Sequence, residues 1–219
     1  MATPYLQKRV DRVASTQDVA RGEMSGFPLL VLAPRQTKGR GRSGSEWLTA
    51  DRALAASLAF RPEEGDVRPF SLMAGVAAVR ASPGLDLKWP NDLMRADLKV
   101  GGILVERSDE IVVVGLGLNL WWPDPPDGAG AIYESDPGTA RHAEIGALWG
   151  AELMDLVDSE GWPRDEYTRS CSTTGAEITW EPDGRGRAIG VAADGSLVVH
   201  TADGEVSIYS GAVAHVRPA

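Results

Sequence analysis

LLVLAPRQTKGRGRSGSEW, residues 29–47, joins a short apolar run to a glycine-rich segment that carries several cations. The run LLVLA (29–33) predicts a buried β-strand. The glycines at 39–44 have the spacing G-x-G-x-x-G, which is typical of a dinucleotide-binding turn. In such a turn backbone amides and the start of a helix bind the phosphates, so Arg40 and Arg42 are unexpected there. The stretch therefore predicts a strand that leads into a cationic loop.

The glycine-rich loop (residues 36–47) has two other possible interpretations. A protein-kinase loop has the same spacing, but the chain contains no His-Arg-Asp and no Asp-Phe-Gly motif. A solvated basic turn is the plainer alternative. Against it, the glycines leave the backbone free to close over a ligand, and Arg40 and Arg42 can make bidentate contacts to phosphate or carboxylate. The loop is therefore a candidate anion-binding element.

Composition limits the partners of this loop. The chain has 219 residues, 43% hydrophobic and 24% charged, which is typical of a soluble globular protein with one large domain and a small one. Its net charge of −9 argues against nucleic acid, because nucleic-acid binding requires a basic surface. Positive charge is concentrated locally, since residues 35–42 hold four cations and no acid. A small anion suits such a site better than a polyanion.

Other features of the sequence narrow the class of protein. Cys171 is the single cysteine, which excludes an internal disulfide and a cysteine metal cluster and agrees with a reducing compartment. The N-terminus lacks a secretory signal and no apolar run reaches membrane-spanning length, so we expect a cytoplasmic protein without a membrane partner. His142, His200 and His215 do not have zinc-ligand spacing. We therefore expect no metal held by protein side chains alone.

Alternating elements predict an α+β fold in which helices and a mixed sheet share one core. Ser15 fits a helix N-cap with Asp18 at the third helical position. Apolar runs predict strands at 29–33, 54–60, 85–89, 99–107 and 111–120. Helical spacing predicts helices at 70–81 and 142–158, and the Pro and Gly content of 121–130 predicts a loop.

The C-terminal segment has a different sequence pattern, with short runs rich in β-branched residues separated by Asp-Gly pairs. Asp194-Gly195 and Asp203-Gly204 each lie between apolar runs and predict hairpins. We therefore predict a small all-β domain at 174–219 and a larger domain at 1–173.

Five segments resemble the biotin protein ligase family: STQ (15–17), QTKGRGRSGSEW (36–47), KWPND (88–92), KVGGILVE (99–106) and GLGLN (115–119). The C-terminal strands are similar to the SH3-like β-barrel domain of that family. The combination of KWPND, KVGGIL and the arginine loop is specific, and the similarity spans nearly the whole chain. It implies a mixed β-sheet with packed helices, of the biotin/lipoate ligase type, followed by the SH3-like barrel.

The resemblance also implies a reaction in two steps. Biotin and MgATP give biotinyl-5′-AMP and pyrophosphate, and a lysine of a biotin carboxyl carrier protein then attacks the acyl-adenylate. Joining a carboxylate to a triphosphate requires their repulsion to be neutralised, and preorganised positive charge is the largest available catalytic contribution. The attacking group is the substrate carboxylate, so no enzyme nucleophile is required. ATP and Mg²⁺ are therefore the expected cofactors.

The family pattern assigns roles to individual residues. The catalytic residues it implies are Lys99, Arg40, Arg42 and Asp92. Biotin contacts are implied for Ser15, Thr16, Gln17, Gln36, Gly39, Arg40, Lys99, Gly101, Gly102 and Gly115. ATP or adenylate contacts are implied for Arg40, Arg42, Trp47, Asn91, Lys99, Leu118 and Asn119. Structural alternatives stay open: a helix cap for Ser15, a β-bulge at Gly101 and Gly102, a core position for Trp47, and a turn for Asp92.

Two positions depart from the family pattern, and other functions remain possible. Gln17 stands where the family often has Asn, and Ser45 stands where many members carry another arginine, which removes one phosphate-side charge. Only fourteen residues precede Ser15, too few for the winged-helix repressor domain of some members, so we expect no operator binding. The alternatives are a lipoate-protein ligase and a non-catalytic biotin or adenylate sensor. The family forms monomers and homodimers, and the sequence does not decide between them.

Overall fold

The computed structural model describes residues 3–64, 66, 69–209, 211 and 213–216. Its elements in chain order are β1 (Leu6–Arg9), α1 (Thr16–Glu23), β2 (Leu29–Ala33), β3 (Arg52–Phe60), α2 (Phe70–Ala81), β4 (Asp86–Lys88), β5 (Asp92–Arg95), β6 (Leu98–Ser108), β7 (Ile111–Trp121), α3 (Arg141–Asp158), α4 (Arg164–Ser170), β8 (Glu177–Trp180), β9 (Gly184–Val191), β10 (Leu197–Thr201), β11 (Gly204–Ile208) and β12 (Val213–His215).

The first seven strands form one sheet in the order β1-β2-β3-β7-β6-β5-β4. β1 pairs with β2 in parallel, and the other neighbours are antiparallel, so the predicted mixed sheet is confirmed. Helix α1 covers one face, where Leu29 and Val31 are buried with Ala20, while α2 and α3 cover the opposite face, where Leu30 and Leu32 are buried. Both faces of β2 are covered, which explains its unbroken apolar run.

Most predicted elements are confirmed with small shifts at their ends. The strand at 29–33 and the helix at 70–81 have the predicted bounds, and the other predicted strands and helix differ by one or two residues at an end. The sequence did not reveal β1, β5 or α4. β1 and α4 are short and mostly polar, and β5 has only four residues, two of them charged, so none shows the apolar periodicity on which the predictions depend.

The glycine-rich loop connects β2 to the antiparallel strand β3, and no helix follows the loop. This excludes the dinucleotide-binding interpretation, which requires a helix after the turn. The loop closes on itself, because the Gly41 amide donates to the Ser45 carbonyl at 2.7 Å and the Trp47 amide donates to Gly39 at 3.0 Å. Gly44 has φ +78°, a conformation that favours glycine.

The last five strands form a second, fully antiparallel sheet in the order β11-β10-β9-β8-β12. The predicted Asp194-Gly195 turn joins β9 to β10, and the Asp203-Gly204 turn joins β10 to β11. Among the described residues β11 and β12 do not pair with each other. The C-terminal strands therefore form the expected small β-module.

The two sheets share one hydrophobic core. Val191, Leu197 and Val199 of the second sheet belong to the same buried cluster as the residues between the first sheet and α2. The indole Nε1 of Trp89 donates to the carbonyl of Gly195 at 3.0 Å. The predicted boundary after residue 173 falls between α4 and β8 and stays a prediction. The outer ends of the predicted ranges, 1–2 and 217–219, lie outside the described residues.

Candidate active site

A cavity of about 610 Å³ lies on the α1 side of the large sheet. Its floor is formed by β3, β6 and β7, and its walls by the start of α1, the glycine-rich loop and residues 122–129. Three glycines on neighbouring strands, Gly102, Gly115 and Gly117, leave the floor bare. The sheet therefore contributes no side chain of its own at these three positions.

The glycine floor makes room for two side chains from the walls. A Cβ at Gly115 would lie 2.7 Å from Gln17 Nε2, and a Cβ at Gly117 would lie 2.8 Å from Trp47 Cε2. A Cβ at Gly102 would also contact the Trp47 ring, at 3.3 Å. Trp47 is therefore neither a core residue nor a free surface residue: it is half-buried over the sheet and lines the cavity.

One end of the cavity is a cluster of hydroxyl and amide groups. The backbone amide and Oγ1 of Thr16 both donate to Gln36 Oε1, at 2.8 and 3.0 Å, and Thr16 Oγ1 lies 2.8 Å from Ser57 Oγ. Ser15 is the N-cap of α1 as predicted, but its hydroxyl makes no capping hydrogen bond, and it lines the cavity instead. The polar groups at this end can both donate to and accept from a ligand.

Two buried amide oxygens in the cavity lining have no hydrogen-bond partner in the part of the chain that the structure describes. They are Gln17 Oε1 and Asn119 Oδ1, on side chains that are 6% and 3% exposed. Their amide nitrogens are used, since Gln17 donates to the Leu104 carbonyl at 3.2 Å and Asn119 donates to Gly130 at 3.1 Å. A buried acceptor without a partner costs free energy, so these two oxygens are candidate points of ligand contact.

The opposite end of the cavity is charged. Lys99 Nζ lies 2.5 Å from Asp92 Oδ1, across the pair β5 and β6. The backbone of Lys99 is held by the loop after β7, because its amide donates to Gly128 at 2.9 Å and its carbonyl accepts from Gly130 at 2.9 Å. The register between β5 and β6 shifts between Leu93 and Met94, which leaves Val100 without a partner on β5, whereas Gly101 and Gly102 pair regularly with Leu93 and Asp92.

Arg42 connects the glycine-rich loop to this charged end. Its Nη1 donates to Asn91 Oδ1 at 3.0 Å and to the carbonyl of Gly211, in the C-terminal module, at 3.4 Å. Asn91 is itself held by a hydrogen bond from Nδ2 to the Ile103 carbonyl at 3.1 Å. Ser45, which replaces an arginine of the family pattern, closes the loop, because its Oγ donates to the Arg42 carbonyl at 2.8 Å.

Arg40 lines the same cavity, but its guanidinium group is bound by two carboxylates of the protein. It donates to both carboxylate oxygens of Asp18, at 2.8 and 2.9 Å, and to Glu106 at 3.3 Å. These hydrogen bonds hold the pKa of Asp18 below its usual range and raise that of the Arg40 guanidinium. The sequence suggested that Arg40 presents its charge to a ligand, whereas the structure pairs it with α1 and β6.

Most of the predicted site residues surround this one cavity. Those in its lining are Ser15, Thr16, Gln17, Gln36, Arg40, Arg42, Trp47, Asn91, Asp92, Lys99, Gly102, Gly115 and Asn119.

Three predicted site residues do not line the cavity. Gly39 is buried against Gln36 and Trp47, where an added Cβ would lie 3.3 and 3.1 Å from their side chains. A side chain at position 101 would point to the other face of the sheet, because a Cβ added to Gly101 would lie 2.9 Å from the Leu93 side chain. Leu118 is fully buried in the core on that same face.

Sequence reasoning missed several residues of the lining, among them Ser57, Gly117, Trp122 and Asp127. Ser57 had a signal, since it is the one polar residue inside the apolar run of β3. Gly117 had another, since residues 115, 117 and 119 share a face in a strand of period two. Among the described residues no group of three or more His, Cys, Asp or Glu could hold a metal ion.

Comparisons with known proteins identify the class. Residues 10–119 match the biotin/lipoate A/B protein ligase family, and residues 183–216 match the biotin protein ligase C-terminal domain. The first match covers half of the chain, so the protein belongs to the biotin/lipoate A/B protein ligase family.

Individual relatives are biotin ligases. The chain is 26% identical to the biotin--[acetyl-CoA-carboxylase] ligase of Mycobacterium tuberculosis, over 96% of this chain and 90% of the relative. It is 34% identical to the ligase of that name from Paracoccus denitrificans, over 58% of each chain. The biotin protein ligase of Aquifex aeolicus, solved with biotin and ATP, superposes with a TM-score of 0.82 at 25% identity, over 97% of this chain and 99% of the other.

Proposed function

We propose that the chain is a biotin protein ligase that forms biotinyl-5′-AMP from biotin and ATP and transfers the biotin to a lysine of a carrier protein. One observation carries this proposal. A single cavity joins a hydroxyl and amide cluster at Thr16 and Gln36 to a charged end at Lys99 and Arg42. The first end suits a cyclic urea and the second suits the two anions that must be joined.

The polar end fits the ureido ring of biotin. That ring has two N–H donors and a carbonyl acceptor, and the cavity offers hydroxyls at Ser15 and Thr16 together with the unpartnered oxygen of Gln17. Beyond these groups Ala56, Leu104 and Leu116 give an apolar surface for the remaining rings and the acyl chain. Desolvated polar groups at such an end discriminate against ligands that lack matching donors.

The charged end supports the first step. The biotin carboxylate attacks the α-phosphorus of ATP, an O–P bond forms, and the bond to the leaving pyrophosphate breaks. Lys99 and Arg42 supply preorganised positive charge where negative charge accumulates. Trp47 lies over Gly102 and Gly117 of the floor and offers an aromatic face to the adenine. Mg²⁺ bound with ATP would neutralise further charge, and the unpartnered Asn119 Oδ1 is an oxygen ligand of the type it prefers.

Asp92 has a role in the second step. The attacking lysine amine must be neutral, and Asp92 lies at the charged end within reach of Lys99. The amine attacks the acyl carbon, the amide bond forms, AMP leaves, and the lost proton passes to Asp92. The substrate is a biotin carboxyl carrier domain of a carboxylase.

No helix among the described residues is long and apolar enough to cross a membrane. The absence of nucleic-acid binding, a cytoplasmic location and the oligomeric state stay expectations.

The experiment is incubation with MgATP, biotin and a purified carrier domain, followed by the intact mass of the carrier. A mass increase of one biotin supports the proposal. A lipoate ligase remains the second candidate because the family description covers both acids. Lipoate has no ureido group to satisfy the polar end, so we expect lipoate in place of biotin to give no mass increase. Tight biotin binding without carrier labelling would instead indicate a sensor.

A further inference from the structure

The glycine-rich loop is fastened to the floor and the α1 wall of the cavity by a group of four charges. Arg40 of the loop binds Asp18 of α1 at 2.8 Å and Glu106 of β6 at 3.3 Å. Arg21 of α1 completes the group, at 2.5 Å from Glu106 and 3.6 Å from Asp18. Two guanidinium groups and two carboxylates thus pair with one another where the loop, α1 and β6 meet.

We propose that Asp18 and Glu106 are positioning residues that hold the glycine-rich loop closed over the cavity by binding Arg40. They act through Arg40 on the residues beside it. Gly39 is buried against Gln36, which in turn accepts from Thr16, so the position of Arg40 fixes the polar end of the cavity.

The two arginines of the loop then have different tasks. Arg42 is directed at Asn91 and the charged end, where it contributes to the chemistry. Arg40 is held on both oxygens of Asp18 and has a third contact to Glu106, so its charge is matched by protein acids. A bidentate guanidinium–carboxylate pair fixes direction as well as distance, which a single lysine contact would not.

Removing either acid leaves Arg21 and Arg40 with one carboxylate between them. The repulsion of the two guanidinium groups then favours a loop in which Arg40 turns into solvent. The side chains are 28–53% exposed, so each pair shifts the closing equilibrium modestly, by about 1.5- to 5-fold. Loss of both acids should act more strongly, because no partner then remains.

The first test follows loop opening in the protein without ligands and does not depend on ligase activity. Hydrogen exchange is measured for the peptide that contains the Gly41 and Trp47 amides, both bonded within the loop. We expect exchange to become about 1.5- to 5-fold faster in Asp18→Asn and in Glu106→Gln, and about 3- to 10-fold faster in the double variant. Unchanged exchange in the double variant would overturn the proposal.

Glu23→Gln provides a matched control. Glu23 also lies on α1 and also forms an ion pair, with Lys8 at 2.6 Å, but it does not contact the loop. Hydrogen exchange of the loop peptide in Glu23→Gln should equal that of the wild type. Asp18 lies in the first turn of α1, where a carboxylate also stabilises the helix. Glu106 lies on β6, so Glu106→Gln tests the contact to the loop while the first-turn carboxylate of α1 stays in place.

The second test measures retention of the intermediate and rests on the proposed ligase function. In the double variant we expect the ratio of bystander-lysine labelling to carrier labelling to rise about 3- to 10-fold. Added salt should raise that ratio in the wild type and change it little in the double variant, because salt screens these ion pairs. Equal ratios in an active double variant would contradict the proposal. If no variant adenylates biotin, the proposed function fails while the exchange result still decides the role of the acids.

Discussion

Asp92 Oδ1 and Lys99 Nζ lie 2.5 Å apart and neutralise each other at the charged end of the cavity. Because β5 and β6 are adjacent antiparallel strands, the two residues are brought together across a tight connection. We expect an incoming phosphate to compete with Asp92 for the ammonium group of Lys99. In the proposed reaction, binding of the ligand to Lys99 would then free the Asp92 carboxylate for the second step.

Replacing Lys99 with alanine removes a positive charge from the place where the anions meet. We expect adenylate formation, measured as biotin-dependent pyrophosphate release, to fall by about 10²–10³, the usual cost of one charge-stabilising donor. Lys38→Ala serves as the control, since Lys38 is an exposed loop lysine that does not line the cavity. A rate for Lys99→Ala close to that of the control would refute the role of Lys99.

The Asp92→Asn variant separates the two steps. Without a carboxylate to accept the proton of the attacking lysine, transfer from biotinyl-5′-AMP to the carrier should slow by about 100-fold. Pyrophosphate release in a single turnover should change far less, because the amide still leaves Lys99 charged. Rapid quench of both steps in one experiment gives the comparison. Equal slowing of both steps would show that Asp92 acts only by orienting Lys99.

Neutralising Arg42 should loosen the hold on the intermediate. Arg42→Ala loses the hydrogen bond to Asn91 and a cation at the phosphate side. We expect more free biotinyl-5′-AMP in solution and a rise in labelling of bystander lysines, read by peptide mass spectrometry against carrier labelling. Unchanged selectivity would count against closure of the loop over the intermediate.

A single methyl group at Gly117 should displace the indole of Trp47. The added Cβ would lie 2.8 Å from Cε2 of that ring. This distance is too short for a contact, so the ring must move away from the sheet. We expect Gly117→Ala to raise the KM for ATP by about 3- to 10-fold through lost aromatic contact. In the control Gly22→Ala, nothing lies within 4 Å of the new Cβ. That change should leave the KM alone and raise Tm slightly, because alanine favours a helix.

The stability of the C-terminal module should depend on pH through His215. Burial, reinforced by the charge of Lys88, lowers the pKa of this imidazole below its usual value near 6.5. Its Nε2 lies 3.1 Å from Thr173 Oγ1, which already accepts from the Trp89 amide and so can donate to an unprotonated ring nitrogen.

The unfolded chain therefore takes up this proton at a higher pH than the folded chain. The contribution of His215 is present above about pH 6.5 and is lost as the pH falls from there toward the folded-state pKa. Tm should drop between pH 7.5 and 5.5 less steeply in His215→Gln than in the wild type. His200→Gln, at an exposed position of β10, should follow the wild type. Parallel curves for all three proteins would contradict the prediction.

The sequence predicts local structure here better than it predicts pairing. Residues 29–33 and 70–81 show unbroken or periodic apolar character, so their strand and helix follow from burial alone. The pairing of Arg40 could not be predicted in this way. Its partners lie 22 and 66 residues away in the chain, and nothing in the spacing of Asp18 or Glu106 sets them apart from other surface acids.

The candidate site shows the same division. Motif residues such as Thr16, Gln36 and Lys99 could be named because their order along the chain follows a family pattern. Their common position around one cavity depends on β3, β6 and β7 being neighbours, which is a property of the sheet. The family pattern implies ligand contacts for Leu118 and Gly101 because they lie within its motifs, but alternate residues of a strand face opposite sides of the sheet, and these two face away from the cavity.

The hydrogen bond from the Trp89 indole to Gly195 belongs to a wider joint, in which a Cβ on that glycine would meet Pro69 at 2.6 Å. The turn between β9 and β10 of the small module thus packs closely against Pro69 and Trp89 of the larger unit. Neither part is an interchangeable building block, since each supplies interior surface that the other lacks. A chimera that takes roughly the last forty residues from a relative would therefore also need the relative's residues at the positions of Pro69 and Trp89.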